Sequence, residues 1–140
     1  MKALSNKKIG NDLESKVLDL LKQYKIWGVK LKEQENGAPF DLIASKNNVF
    51  YGLEVKNIEH GARYPLSRVE MNQEMSIHKL NSVGTSNTFF VFGVKSEFGV
   101  FKEEYKEIYI VHSSKVLVND VKSIDVKGKG ELFTDWLKKI

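Results

Sequence analysis

Two apolar runs near the middle of the chain set its pattern. Residues 40–45 are mostly apolar, Lys46-Asn47-Asn48 interrupts them, and residues 49–56 resume with an apolar side chain at every second position. In a strand, side chains at i and i+2 point to the same side. Val49, Tyr51, Leu53 and Val55 therefore form one apolar stripe, and Glu54 and Lys56 share the opposite face. The pattern predicts two short strands joined by a tight turn.

The flanking segments supply helices and further strands. Asn11 followed by Glu14 reads as a capping-box helix start. Leu13, Val17, Leu20, Leu21 and Tyr24 then recur at helical spacing, and Gly28 lies just past an end near Lys25. Residues 29–33 alternate and predict a short strand, and Glu35-Asn36-Gly37 is a turn signal. Residues 57–66 have no period and read as a loop leaving the strand that carries Glu54 and Lys56. Ser67 with Glu70 predicts a second capping box, opening a helix to about Ser82. Residues 89–94 read as a central strand, and residues 107–112 as another, paired with 98–101. Ser113-Ser114 is expected to cap a helical turn through Leu117, and residues 131–139 to form a terminal amphipathic helix. Trp27, Trp136 and the phenylalanines of 89–92 are assigned to the core. The order of helix, three strands, helix and further strands predicts an α/β (α+β) domain, a central mixed sheet flanked by helices.

Composition narrows this picture. At 140 residues the chain is one domain, residues 1–140, with an ordinary 41% hydrophobic and 29% charged content. No apolar run approaches the ~20 residues that span a bilayer, and the N-terminus lacks a signal peptide's long apolar segment. The absence of cysteine excludes a disulfide framework, a thiolate zinc site and a cysteine nucleophile. The expectation is an intracellular, cytoplasmic protein with no membrane contact. No Gly-rich nucleotide loop, nucleophile elbow or helix-borne His pair is present.

The net charge of +4 is unevenly spread: residues 1–32 carry eight lysines against three carboxylates, and the rest of the chain is near neutral. A basic segment on a neutral body fits a polyanionic partner, nucleic acid first; a solvated helix face is the other reading. Lys7, Lys8, Arg63 and Arg68 are the candidate phosphate contacts, against plain solvated charge.

The candidate chemistry sits on the two middle strands. Asp41 lies inside an apolar run, where an unpaired carboxylate is costly to bury. Asp41, Glu54 and Lys56 together suit a hard divalent cation such as Mg2+ and an activated water, with the lysine stabilising developing negative charge. The competing reading is a weak cross-strand ion pair on an exposed sheet face. Glu14 borders the apolar face of the first helix, either as a capping carboxylate or as a third acid aimed at the same site. Gln73 interrupts the stripe of Leu66, Val69, Ile77 and Leu80, and a buried amide needs partners: a loop backbone, or the lysine and the water of the site.

Pro39-Phe40-Asp41, then Glu54-Val55-Lys56, after a helix carrying Glu14, resembles the PD-(D/E)xK nuclease superfamily. The likeness extends to RecU-type Holliday-junction resolvases: the interval between Asp and Glu-x-Lys is similar, Tyr64-Pro65-Leu66 looks like their Phe-Pro-Leu segment, and Asn72-Gln73 stands where they carry His-Gln. Archaeal Hjc-type resolvases are similar in Gly10…Glu14 and in Asp-Leu-Ile-Ala…Leu-Glu-Val-Lys. The resemblance spans residues 9–118. It implies a restriction-endonuclease-like core in αβββαβ order, with Asp41, Glu54 and Glu14 on the metal, Lys56 catalytic and Gln73 beside it. It further implies Mg2+ with Mn2+ as a substitute, phosphodiester hydrolysis in four-way DNA junctions for recombination and repair, and a homodimer that cuts two strands. Asn72 in place of His, Tyr64 in place of Phe and a short segment before the first helix depart from the RecU pattern. Three other readings remain at this point: a restriction- or repair-type endonuclease on duplex DNA, a non-catalytic DNA-binding module of the same fold, and a plain α+β domain with a surface ion pair.

Overall fold

A computed structural model describes residues 6–31, 40–59, 61–95 and 105–140, with the side chains of 6–11, 105 and 106 left out. The elements run α1 (Asn6–Gln23), β1 (Trp27–Lys30), β2 (Leu42–Lys46), β3 (Val49–Ile58), β4 (Arg63–Pro65), a 3-10 turn (Leu66–Arg68), α2 (Met71–Ser82), β5 (Thr88–Lys95), β6 (Tyr105–His112), α3 (Ser113–Val116), β7 (Ser123–Asp125), α4 (Val126–Lys129), β8 (Glu131–Leu132) and α5 (Phe133–Lys139). The predicted helix–three strands–helix–strand order is present, but residues 57–66, read as a loop, hold the end of β3 and the added strand β4 before α2. No helix among the described residues is long and apolar enough to cross a membrane.

Six strands make a mixed sheet in the order β1-β2-β3-β5-β6-β8, and β4 pairs with β7 beside it. β3 and β5 are parallel, as the crossover through α2 demands; the other neighbours are antiparallel. Period-two alternation sends Leu53, Val55 and Val91 into one core with Leu13, Val17 and Leu21 of α1 and Phe133, Trp136 and Leu137 of α5. Phe90, Phe92 and Val94 enter a second core on the other face, with Ile77 of α2, Tyr64 of β4 and Ile124 of β7. The apolar stripe read from 49–55 therefore faces α1, and Glu54 and Lys56 face the side of α2.

Several boundaries differ from the sequence reading. α1 begins at Asn6, so Asn11 lies inside the helix and the Asn11–Glu14 pair does not cap it. Ser67 belongs to the 3-10 turn; α2 starts at Met71 with Glu70 as an N-cap that makes no side-chain bond. The cap of α3 is His112, whose Nδ1 accepts from the Ser114 backbone N–H at 3.1 Å. The terminal helix opens at Phe133, because Glu131 and Leu132 pair with β6. Trp27 is 57% exposed on the edge strand β1, contrary to its expected place in the core. The strand expected at 98–101 lies outside the described residues.

Gly52 positions the start of β2. A Cβ there would come within 2.7 Å of the Phe40 ring, so only glycine lets that ring lie against β3 beside Asp41. Gly52→Ala is expected to cost about 1–3 kcal/mol through overpacking. A urea-unfolding cycle with Phe40→Leu should show strong coupling between the two positions; additive losses would mean that the contact is not the cause.

Candidate active site

The site forms where β2 and β3 part. Leu42 pairs with Leu53, and β2 begins there, so β3 beyond Leu53 loses its antiparallel neighbour. Asp41 takes over that edge. Its backbone N–H donates to the Leu53 carbonyl at 3.1 Å, and its Oδ2 accepts from the Val55 N–H at 2.8 Å. The carboxylate thus replaces a missing ladder bond and is fixed at the mouth of the gap. This answers the cost of placing Asp41 in an apolar run: the group is half-buried and hydrogen-bonded.

Glu54 is 2% exposed, which excludes a surface ion pair. Its Oε2 accepts from Gln73 Nε2 at 2.5 Å, so the polar interruption in the α2 stripe is aimed at the site. Burial pushes the Glu54 carboxyl up to about 10, and hydrogen-bond contact with Asp41 and its charge push the same way; Lys56 opposes them. Glu54, the more buried of the two carboxyls, therefore favours its protonated form. Gln73 Oε1 is buried and makes no hydrogen bond. Lys56 follows Glu54 on the same face of β3, near enough to favour its charged form.

Glu14 enters from α1. Its side chain is 13% exposed and pairs with Lys30 Nζ of β1 at 2.8 Å. Burial raises its carboxyl above the ordinary value, the Lys30 hydrogen bond lowers it, and the Asp41 charge raises it again. Asp41 therefore neighbours Glu14 on one side and Glu54 on the other. The fold assembles Glu14, Asp41, Glu54, Lys56 and Gln73 from α1, the approach to β2, β3 and α2. Lys30 was not singled out by sequence; the only signal for it was its place in the basic N-terminal segment. Tyr64 is a second addition: it is fully buried, its hydroxyl has no hydrogen-bond partner, and burial lifts its pKa to about 12.

Of the candidate phosphate contacts, Arg63 and Arg68 are exposed and anchored. Arg63 Nε donates to Ser123 Oγ at 3.1 Å. Arg68 Nη1 donates to the Asn57 carbonyl at 2.8 Å, with its guanidinium 5.2 Å from the centre of the Tyr64 ring. The side chains of Lys7 and Lys8 lie outside the described residues.

Among the described residues, no three acidic, imidazole or thiol groups form a ready-made metal cage. The donor set nevertheless suits a hard cation. Glu54 and Glu14 both hold protons more tightly than free carboxyls, and the unpartnered Gln73 oxygen adds a neutral donor. A divalent ion in place of that proton would need one or two of the carboxylates, with water completing its shell.

No family model and no curated protein sequence matches the chain. Among solved structures, the chain superposes on the 1.6 Å structure of Archaeoglobus fulgidus Hjc, described as a Holliday junction resolvase from an archaeal hyperthermophile. The TM-score is 0.63 at 12% sequence identity, over 91% of this chain and 99% of that one. The chain has the fold of that resolvase, a restriction-endonuclease-like mixed sheet between helices.

Proposed function

We propose that this protein is a metal-dependent DNA endonuclease that resolves four-way junctions as a homodimer. One observation carries the reading: in a resolvase fold, the chain brings Asp41, Glu54 and Lys56 together at a gap between strands, with Glu14 and Gln73 as neighbours. Asp41 and Glu54, assisted by Glu14, would hold Mg2+ or Mn2+. Such an ion supplies charge neutralisation at a phosphodiester and a water of lowered pKa. The Asp41 carboxylate is held ready by the Val55 N–H. Gln73 holds the Glu54 carboxyl through Oε2, in contact with Asp41. Lys56 places an ammonium where negative charge develops on phosphorus oxygens, which is worth most in a half-buried site.

The fold and the acidic cluster support nuclease chemistry; the junction as substrate rests on likeness to Hjc and on the sequence resemblance. The deciding assay offers a labelled four-way junction and a matched linear duplex with magnesium, manganese or chelator. The expected result is metal-dependent, symmetric pairs of nicks near the crossover, and little cutting of the duplex. Equal cutting of both would give the restriction- or repair-type reading, and no cutting with retained binding would give the non-catalytic one.

A further inference from the structure

Strand β4 has two sides. Tyr64 points inward, packing its ring 4.8 Å from Phe92, the register partner of Lys56. Arg63 points outward into a groove of about 630 Å³ on the far side of the β4–β7 pair. The rest of that groove comes from residues 114–129, where Lys115 of α3, Asn119, Ser123 of β7 and Lys129 of α4 stand among apolar Val118, Val121 and Ile124. Its charge is lopsided. Lys115 and Lys129 are exposed and make no ion pair among the described residues, whereas Lys30, Lys127 and Lys139 each hold a carboxylate. The carboxylate in the lining, Asp125, directs Oδ1 to the Lys127 backbone N–H at 3.2 Å. It faces Arg63 in register without pairing to it. The Arg63 guanidinium is held instead by Ser123, through Nε at 3.1 Å and Nη2 to the carbonyl at 3.4 Å. A guanidinium fixed in position, two free ammonium groups, and amide and hydroxyl donors along an open channel match a run of phosphodiesters.

We propose that this groove binds the sugar–phosphate backbone of the DNA substrate away from the cut, through Arg63, Lys115 and Lys129. β4 is then a shared wall, with the acidic cluster on its inner side and the backbone track on its outer side. Lys115 and Lys129 hold the arm and do not touch the reacting phosphate. The proposal rests on the nuclease reading for its choice of polyanion.

The test compares wild type with Lys115→Ala/Lys129→Ala and with Lys115→Glu/Lys129→Glu, after melting curves have confirmed equal folding. Binding of a labelled duplex and a labelled four-way junction is measured by anisotropy over a sodium chloride series in chelator. Each lost phosphate contact removes about 0.9 from the slope of log affinity against log salt, so the alanine pair should lose roughly 1.8. Affinity near physiological salt should fall at least about tenfold, and more for the glutamate pair. In magnesium, the alanine pair should raise KM and leave kcat unchanged. Unaltered affinity and salt slope in both variants would overturn the groove, even if wild type cuts DNA normally. If wild type binds DNA with the predicted slopes but cuts nothing, the groove stands and the nuclease reading fails. If wild type binds no DNA, both fail.

Discussion

Asp41→Asn is expected to remove cleavage, lowering the rate by about a thousandfold or more while DNA binding survives. Asparagine matches aspartate in shape, and its side-chain oxygen can still accept from the Val55 N–H that Asp41 holds at 2.8 Å. What disappears is the negative charge at the point shared by Glu14 and Glu54. A site that has lost one of two hard oxygen anions binds a divalent ion poorly, and with it go the acidified water and the charge stabilisation. A thousandfold loss corresponds to about 4 kcal/mol of barrier, within reach of a single electrostatic contact in a water-poor cleft. Lys56→Ala should fall in the same direction by roughly a hundredfold, through lost stabilisation of the developing charge. Single-turnover cleavage in saturating magnesium reads both effects, with anisotropy in chelator as the binding control. Undiminished cutting by either variant would remove that residue from the mechanism.

The parts of this site that the sequence displays are those governed by short-range geometry. Alternation along 49–56 is enough to separate Glu54 and Lys56 from the stripe of Leu53 and Val55, because a strand has only two faces. The helical spacing of Leu13, Val17 and Leu21 gives the buried side of α1 and places Glu14 at its margin. Gln73 stands out for the same reason, as one amide in an apolar stripe, and its bond to Glu54 explains it.

What local pattern does not display is the partner across space. The Lys30–Glu14 pair joins a strand to a helix, and no spacing rule links those two positions. The β4–β7 ladder sets Arg63 in register with Asp125, so the wall behind the site depends on residues 63–65, read as part of a loop, meeting residues 123–125, which carry no local strand signal. Capping signals misplaced both long helices. Asn11–Glu14 and Ser67–Glu70 match the capping-box spacing, but α1 already runs through the first, and a 3-10 turn followed by the extended backbone of Val69 and Glu70 occupies the second. Trp27 shows the converse limit: a large apolar residue on an edge strand has only one neighbouring strand to cover it.

The raised proton affinity of Glu54 makes a second large effect measurable without any DNA. Its carboxyl is pushed up to about 10 in the folded, metal-free protein, chiefly by burial and then by Asp41; in the unfolded chain it returns to the ordinary value near 4.5. Between those two values the folded state keeps a proton that the unfolded state releases. Stability therefore falls as pH rises, by up to about 1.4 kcal/mol per pH unit from this group. Glu14 is raised for related reasons and adds in the same direction. From pH 5 to pH 8 in chelator, the loss attributable to Glu54 should be on the order of 4 kcal/mol. Glu54→Gln keeps an amide acceptor for Gln73 but carries no titrating proton, so its stability should fall less steeply, by close to one proton released per unfolding event. Comparing urea midpoints of the two proteins across that range cancels every group they share. Magnesium at pH 8 should stabilise wild type more than Glu54→Gln, because an ion held by Glu54 and Asp41 would keep only the Asp41 carboxylate of that pair in the variant. Parallel pH profiles for the two proteins would show that Glu54 is charged in the folded state. The cluster would then already be arranged for a cation without first giving up a proton.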